Sequence, residues 1–234
     1  GVFNLWFGWF GFNAGSELAF DAWVAHAIMT TLLAASAGTL VACAVIWKKT
    51  GAMDVGMAGN GALAGLVSIT AGTGTMNFLG AVIVGAIGGA LVVYSVLFIE
   101  RRGVDDPVGA VSVHGVCGVW GTLAIGLFAR HDDAFLGRDN AGLFYGGGFD
   151  QLLVQAIGVL LIAAWVLGTS AILFKVLKST VGLRVSAEEE LAGLDVAEHG
   201  SPGYGPEPVA GVEERVDKAL VRCFASKARA AAQA

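Results

Sequence analysis

His114 is the side chain in this sequence best suited to chemistry inside apolar surroundings. It lies in the run DDPVGAVSVHGVCGVWGTLAIGLFA, which carries no Asp, Glu, Lys or Arg between Pro107 and Ala129. Pro107 suits the first turn of a helix, and the aspartates before it suit the helix N-terminus. A helix that begins there places His114 about 11–12 Å along its axis, near the middle of a hydrocarbon core about 30 Å thick.

Two interpretations of His114 remain open from its spacing alone. In the first, the imidazole bonds to a backbone carbonyl or another side chain and only joins two helices. In the second, it lines a polar pathway and offers a ring nitrogen to a passing solute or proton. The neighbouring Gly115 and Gly118 either pack against another helix or keep a narrow passage open.

A second group of candidates lies near the beginning of the chain, in FGWFGFNAGS. Ser16 can exchange a hydrogen bond with a polar solute, while Phe12, one helical turn earlier, can block a passage below it. Asn13 is a second polar residue in this run. The alternative interpretation of these aromatic residues is an interfacial belt.

The sequence contains no pattern typical of an enzyme or a metal site. It has no phosphate-binding glycine loop, no HExxH, no serine elbow and no cluster of metal ligands. Its three cysteines form no CxxC pair. We therefore expect no catalytic residue, no cofactor and no bound metal.

The elements that must position these residues are membrane helices. Hydrophobic residues make up 56% of the chain and charged residues 14%, against about 25% charged in a soluble domain. Four charge-free stretches each reach the roughly 20 residues that span a bilayer: 23–47, 55–99, 107–129 and 151–174. The composition predicts an all-α, polytopic membrane protein.

Charged residues and turns divide this bundle into six segments. We predict 1–16, 22–47, 55–72, 77–99, 107–129 and 149–174, with the first one truncated because the chain begins within a helix. Clusters of Lys and Arg follow the second, fourth and sixth segments, so all three lie on one side if each segment crosses once. The positive-inside rule places that side, and the C-terminus, in the cytoplasm.

The remainder of the chain differs in composition from the membrane domain, which we assign to residues 1–181. Residues 182–199 are acidic and predict a short helix from Ser186, with Glu189 at the capping-box position. Residues 200–234 contain a proline-rich break, followed by a stretch that is either an amphipathic helix or a disordered end.

Several long motifs, in collinear order, resemble the ammonium transporter (Amt/Mep/Rh) family. They are GWFGFNAGS, GNGALAGLVSITAG, VDDP followed by VHGVCGVWGTLAIGLFA, and TVGLRVSAEEELAGLDVAEHG. The resemblance implies a trimer of subunits that each have eleven membrane helices, ten of them in two inverted halves, and one pore. This sequence is similar to the last six helices, which agrees with the segment count and orientation above.

The resemblance also implies roles for individual residues. Phe12 corresponds to one of two stacked gate phenylalanines, Ser16 to the serine of an external recruitment site, and His114 to the second of two paired pore histidines. Asp106, Gly115 and Gly118 then become structural residues near the pore. The other gate phenylalanine, the recruitment tryptophan, the first histidine and an important aspartate belong to the first half, which this sequence does not contain.

The activity implied is transport of ammonium across the plasma membrane. Ammonium is deprotonated at the outer vestibule, and the neutral species and the proton then pass a hydrophobic pore. The implied partners are ammonium or ammonia, the lipid bilayer, two further copies of the subunit and a PII-type regulatory protein at the cytoplasmic tail, with no nucleic acid. The alternatives are an ammonium sensor of the same fold and a non-transporting fragment.

Overall fold

The computed structural model describes residues 1–130, 141–201 and 203. Within them the chain is helical, without any β-strand, so the prediction of an all-α membrane bundle is confirmed. The helices of the bundle are α1 (Val2–Gly15), α2 (Ala22–Thr50), α3 (Val55–Thr70), α4 (Phe78–Arg101), α5 (Cys117–Phe128) and α6 (Asp150–Thr180). A π-helical segment (Val111–Val116) leads directly into α5, and a short 3₁₀ turn (Leu143–Tyr145) precedes α6.

Each of the six predicted membrane segments corresponds to one of these helices. By length and composition, α2, α4, the π-helical segment joined to α5, and α6 are long enough to cross a membrane, while α3, with 16 residues, is shorter. The largest departures from the predicted bounds are at the sixth segment, where α6 continues to Thr180 instead of ending at 174, and at the fifth, where the helix begins at Val111 instead of Pro107.

Side-chain caps mark the beginning of three helices. Asp21 accepts from the Trp23 N–H at 2.8 Å, and Asp54 accepts from the Met57 N–H at 2.8 Å. At the beginning of α4, the Asn77 side chain accepts from the Gly80 N–H. These carboxylates and this amide satisfy backbone donors that the first helical turn leaves without partners.

Small residues let α2, α3 and α4 approach one another very closely. A Cβ added at Gly65 of α3 or at Gly85 of α4 would overlap the Ala34 carbonyl of α2, and one at Gly89 would overlap the Gly38 carbonyl. In lipid, close approach of backbones supplies packing energy that the hydrophobic effect does not. The glycines spaced four apart in α3 and α4 therefore pack these helices against α2.

The glycines of α1 behave differently from those of α3 and α4. A Cβ added at Gly11 or Gly15 would meet nothing within 4 Å among the described residues. Within the described chain, the same four-residue spacing accompanies a packing surface in α3 and α4 and open space in α1.

The chain divides into two compact units, residues 1–169 and 170–234. In the second unit, α7 (Ala187–Ala192) and α8 (Leu194–His199) follow α6. Ser186 caps α7, and Ser186 and Glu189 form the predicted capping box. The predictions for residues 204–234 lie outside the described residues, and the predicted domain boundaries stay predictions.

Candidate functional site

His114 lies in the π-helical segment, three residues after its first residue. The chain does not enter the helix at Pro107, because Gly109 adopts a left-handed backbone conformation with φ of 71° and interrupts the path. The expectation that Pro107 occupies the first helical turn is therefore wrong. So is the 11–12 Å distance along the helix that followed from it, since the helix begins at Val111.

Asp106 fixes the beginning of the segment that carries His114. Its carboxylate accepts hydrogen bonds from the Ala110 N–H at 2.8 Å and from the Val111 N–H at 3.0 Å. Both amides would otherwise lack partners at the helix N-terminus, where a negative charge is also favoured by the helix dipole. The sequence placed this aspartate near the helix beginning, and the structure shows how its two oxygens hold the first turn.

The imidazole of His114 is exposed and faces a cavity of about 730 Å³ between the π-helical segment with α5 and residues 158–167 of α6. Neither ring nitrogen has a hydrogen-bond partner among the described residues. Apart from His114 and Thr122, every described residue that lines this cavity is glycine or aliphatic. Within the described chain, His114 is therefore the ionisable group that lines an apolar cavity, and it links no two helices through a hydrogen bond.

Four glycines follow His114 before the end of α5, and they have different surroundings. A Cβ added at Gly115 or Gly118, which both line the cavity, would meet only valine methyl carbons at 3.8 and 3.9 Å. A Cβ at Gly121 would instead overlap the Ser68 carbonyl of α3. A Cβ at Gly126 would overlap the Leu152 backbone of α6. Packing within the described chain therefore requires Gly121 and Gly126, whereas Gly115 and Gly118 leave space beside the imidazole.

Phe12 and Ser16 lie together at the end of α1. The Ser16 hydroxyl donates to the Phe12 carbonyl oxygen at 2.7 Å. The Phe12 ring is 60% exposed and contacts the edge of Trp9, with 6.0 Å between ring centroids. Because the Ser16 proton is committed to the backbone, its oxygen remains an acceptor that faces outward.

Asn13 is the buried member of the same turn. Its Nδ2 donates to the Thr31 Oγ1 at 2.9 Å, and that hydroxyl donates to the Ala27 carbonyl at 2.6 Å. One turn earlier, the Trp9 indole N–H donates to the Thr70 hydroxyl at 2.8 Å. These bonds attach α1 to α2 and α3, and so hold Phe12 and Ser16 in position.

The structure thus arranges the predicted residues in two groups. Phe12 and Ser16 form one at the end of α1, while Asp106, His114 and the two cavity glycines form the other. Helix α3 packs against both α1 and α5, so it contacts the helix of each group.

Two polar residues near these groups escaped the sequence argument. Thr122 lines the cavity, and its spacing of eight residues from His114 was a signal that it shares the same helix face. His26 bonds through Nε2 to the Met76 carbonyl at 2.8 Å and stacks on Phe78, a contact between distant residues that spacing does not reveal. Over the part of the chain that the structure describes, no three His, Cys, Asp or Glu side chains converge on a possible metal site.

Comparison with known proteins extends over most of the chain. The family model for the Ammonium Transporter Family matches residues 1–204. The chain is 46% identical over 209 residues to ammonium transporter Amt2 of Archaeoglobus fulgidus, covering 87% of this chain and 44% of the relative. It is 39% identical over 207 residues to the ammonium transporter of Mycobacterium tuberculosis, with 87% and 43% covered. The chain spans less than half the length of these relatives.

Solved structures give the same result. A protein titled Sensor Amt Protein superposes with a TM-score of 0.76 at 39% identity, over 85% of this chain and 47% of that one. Mep2 of Saccharomyces cerevisiae superposes with a TM-score of 0.76 at 31% identity, over 89% and 49%.

Proposed function

Because this chain belongs to the ammonium transporter family, we propose that it contributes to a pathway that carries ammonium across a membrane. The observation that carries the proposal is the unpartnered imidazole of His114 in an apolar cavity. Membership in a family of transporters also confirms the prediction that the chain is not an enzyme.

The pathway begins at the end of α1. The outward-facing oxygen of Ser16 accepts a hydrogen bond from an ammonium N–H, and the exposed Phe12 ring one turn away closes the passage below. An aromatic face also attracts a cation. The hydrogen bonds of Asn13 and Trp9 to α2 and α3 support this arrangement, because they limit how far the end of α1 can move.

Passage beyond the gate favours the neutral molecule. Apolar walls make the transfer of an ammonium ion far more costly than that of ammonia. Ammonium therefore gives its proton to water in the outer vestibule, the nitrogen enters as ammonia, and the proton crosses the pore separately. Within the cavity His114 supplies the hydrogen bond that glycine and aliphatic side chains cannot. Gly115 and Gly118 leave the space beside the imidazole through which the molecule passes.

The test is His114→Ala in the polypeptide that carries this chain, expressed in cells that lack other ammonium uptake. The variant loses one hydrogen bond to the substrate, which is worth about 1.4 kcal/mol. We expect the ratio of ammonium-evoked current to ammonium uptake to change about tenfold, while the assembly of the protein is unchanged. Electrophysiology and ¹⁵N-ammonium uptake measure the two quantities.

The matched control is His26→Ala. The Nε2 of His26 is hydrogen-bonded to the Met76 carbonyl, and His26 does not line the cavity of His114. Its loss therefore lowers thermal stability and leaves the ratio of current to uptake unchanged. Wild-type uptake and current in His114→Ala would rule out a pore role.

A second candidate function is sensing of ammonium, favoured by the likeness to the structure titled Sensor Amt Protein. A sensor binds ammonium and changes conformation without moving it. Saturable ammonium binding with no uptake and no current, in a protein with wild-type assembly, would identify a sensor. No binding at all would identify a non-transporting fragment.

We further propose that the chain acts as a homotrimer in the plasma membrane, with its C-terminus in the cytoplasm. Lys49 at the end of α2 and Arg101 at the end of α4 line one common cavity, which supports a shared basic end for these two helices. The acidic, capped helix α7 supports residues 182–199 as a compact docking segment for a PII-type regulatory protein.

A further inference from the structure

Two side chains attach the segment that carries His114 to α4, one before the histidine and one after it. The hydroxyl oxygens of Ser95 on α4 and Ser112 lie 2.8 Å apart and share a hydrogen bond. The Cys117 thiol donates to the Gly88 carbonyl of α4, with 3.6 Å between sulfur and oxygen. Ser112 and Cys117 are both fully buried. These contacts fix the face of the segment that packs against α4.

Ser112 and Cys117 share this face because the segment is π-helical. They are five residues apart, and residues five apart in an α-helix lie about 140° from each other around the axis. Here the Cys117 N–H bonds to the Ser112 carbonyl oxygen, which is the i+5 hydrogen bond of a π-helix. The two residues are therefore one turn apart, and both side chains reach α4.

The same winding sets the direction of His114, which lies between the two attached residues. Ser112 and Cys117 are buried, whereas His114 is exposed and lines the cavity beside α6. The Asp106 carboxylate holds only backbone amides at the beginning of the segment, so it does not select which face packs against α4. The side-chain bond of Ser112 makes that selection.

The bond between the two hydroxyls favours the π-helical winding over the α-helical one. π-Helical turns are rare, which indicates that a local interaction holds this one. A change to α winding would turn Ser112 away from Ser95 and break their hydrogen bond. Ser112 is fully buried, and a buried hydroxyl that loses its partner costs free energy.

We propose that the Ser95–Ser112 pair is a positioning element that selects the π winding and so turns the His114 imidazole towards the cavity. Neither serine lines that cavity, so each acts on the pathway only through the imidazole. The consequence for transport rests on the proposed function of His114, whereas the effect on the winding does not.

A structure of the Ser112→Ala variant tests the winding directly, determined by electron cryo-microscopy on the assembled polypeptide that carries this chain. We expect the segment Val111–Val116 to become α-helical, with the Cys117 N–H bonded to the Val113 carbonyl and the His114 ring turned from the cavity. Ser95→Thr keeps the hydroxyl and should keep the π turn. A π turn that persists in Ser112→Ala would overturn the proposal.

The ratio of ammonium-evoked current to ammonium uptake tests the consequence for transport. Ser112→Ala and Ser95→Ala should each change this ratio about fivefold, which corresponds to about 1 kcal/mol for one hydrogen bond. Ser95→Thr should restore the wild-type ratio. In a His114→Ala background, Ser112→Ala should change the ratio no further, because its effect passes through the imidazole.

The matched control is Thr30→Val on α2. The Thr30 hydroxyl is fully buried and donates to the Thr73 carbonyl at 3.1 Å, but Thr30 does not line the cavity of His114. This variant also loses a buried hydrogen bond, so we expect lower thermal stability with a wild-type ratio of current to uptake.

Three transport results would overturn the positioning role. They are an equal change of the ratio in Thr30→Val, a wild-type ratio in both serine variants although His114→Ala changes it, and additive effects of Ser112→Ala and His114→Ala. A wild-type ratio in His114→Ala, together with an α-helical segment in Ser112→Ala, would contradict the proposed function and support the effect of the serine pair on the winding.

Discussion

One helical turn at the end of α1 contains residues with opposite environments. Asn13 is 4% exposed and bonded to Thr31, whereas the neighbouring Phe12 is 60% exposed. Ser16 is exposed as well, with its proton donated to the Phe12 carbonyl. The buried amide anchors the turn, and the exposed ring and hydroxyl remain available to a solute.

At this scale we predict that Ser16→Ala raises the ammonium concentration for half-maximal uptake about tenfold. The change removes one acceptor for ammonium, and a hydrogen bond to a charged group is worth about 1.5–3 kcal/mol. Concentration-dependent uptake of ¹⁵N-ammonium measures the effect.

Ser16→Thr is the control for this prediction because it keeps the hydroxyl at the same position. We expect its half-maximal concentration to stay within a few-fold of wild type. An alanine variant with unchanged concentration dependence would remove Ser16 from the recruitment step.

At the scale of the element, two faces of α5 carry glycines with different surroundings, one bordering a cavity and the other bordering a neighbouring backbone. Gly118 faces the cavity, with its nearest neighbour 3.9 Å from an added Cβ, while Gly121 lies against the Ser68 carbonyl. We predict that Gly121→Ala destabilises the protein by about 1–3 kcal/mol, the usual cost of overpacking. Gly118→Ala should leave stability unchanged.

Thermal unfolding in detergent compares the two alanine variants. Gly118→Leu extends the comparison to function, because a larger side chain fills the space beside His114 and should abolish most ammonium uptake without loss of assembly. Equal unfolding temperatures for the two alanine variants would contradict this division of the helix.

The second element with a testable property is α7. Hydrogen bonds from the Ser186 side chain and then from its backbone lower the pKa of Glu189 below its ordinary value of 4.5. A carboxyl group with a lowered pKa in the folded state stabilises that state above its unfolded pKa, and this contribution is lost as the pH falls through the folded pKa. The helix should therefore fray in acid below pH 4.5.

We predict that Ser186→Ala returns the pKa of Glu189 towards its ordinary value, whereas Ser186→Thr, which retains the hydroxyl, keeps it low. An NMR titration of the Glu189 side-chain carboxyl carbon measures both. An unchanged titration in the alanine variant would show that the capping box does not form in solution.

At the scale of the whole molecule, the basic ends of α2 and α4 predict its orientation. Ala52 follows α2 at the basic end, and Ala71 follows α3 at the opposite end; both are exposed. In a background with the three native cysteines replaced by alanine, Ala71→Cys should react with a membrane-impermeant maleimide in intact cells. Ala52→Cys should react only after lysis.

Maleimide labelling of intact cells and of permeabilised cells distinguishes the two orientations. The reverse pattern would place the C-terminal ends of α2 and α4 outside the cell and would contradict the positive-inside assignment. Equal labelling of both positions in intact cells would contradict a membrane crossing by α3.

The membrane helices followed from local information. Charge-free stretches, divided by charged and turn residues, predicted the six helices of the bundle, of which four are long enough to cross a membrane. The capping box at Ser186 was also predictable, because it depends on residues three positions apart. The helix beginning at Val111 was not, because the left-handed turn at Gly109 and the oxygens of Asp106 decide it together.

Hydrophobic length and helix caps are local properties, so the class of protein, the six helices of the bundle and the residue types available for chemistry could be predicted from them. What each residue faces depends on how the helices pack. His114 opens onto a cavity and His26 binds a distant carbonyl, while Gly118 borders space and Gly121 borders a backbone. Such environments are created by segments far apart in the chain, so spacing along one helix carries little information about them.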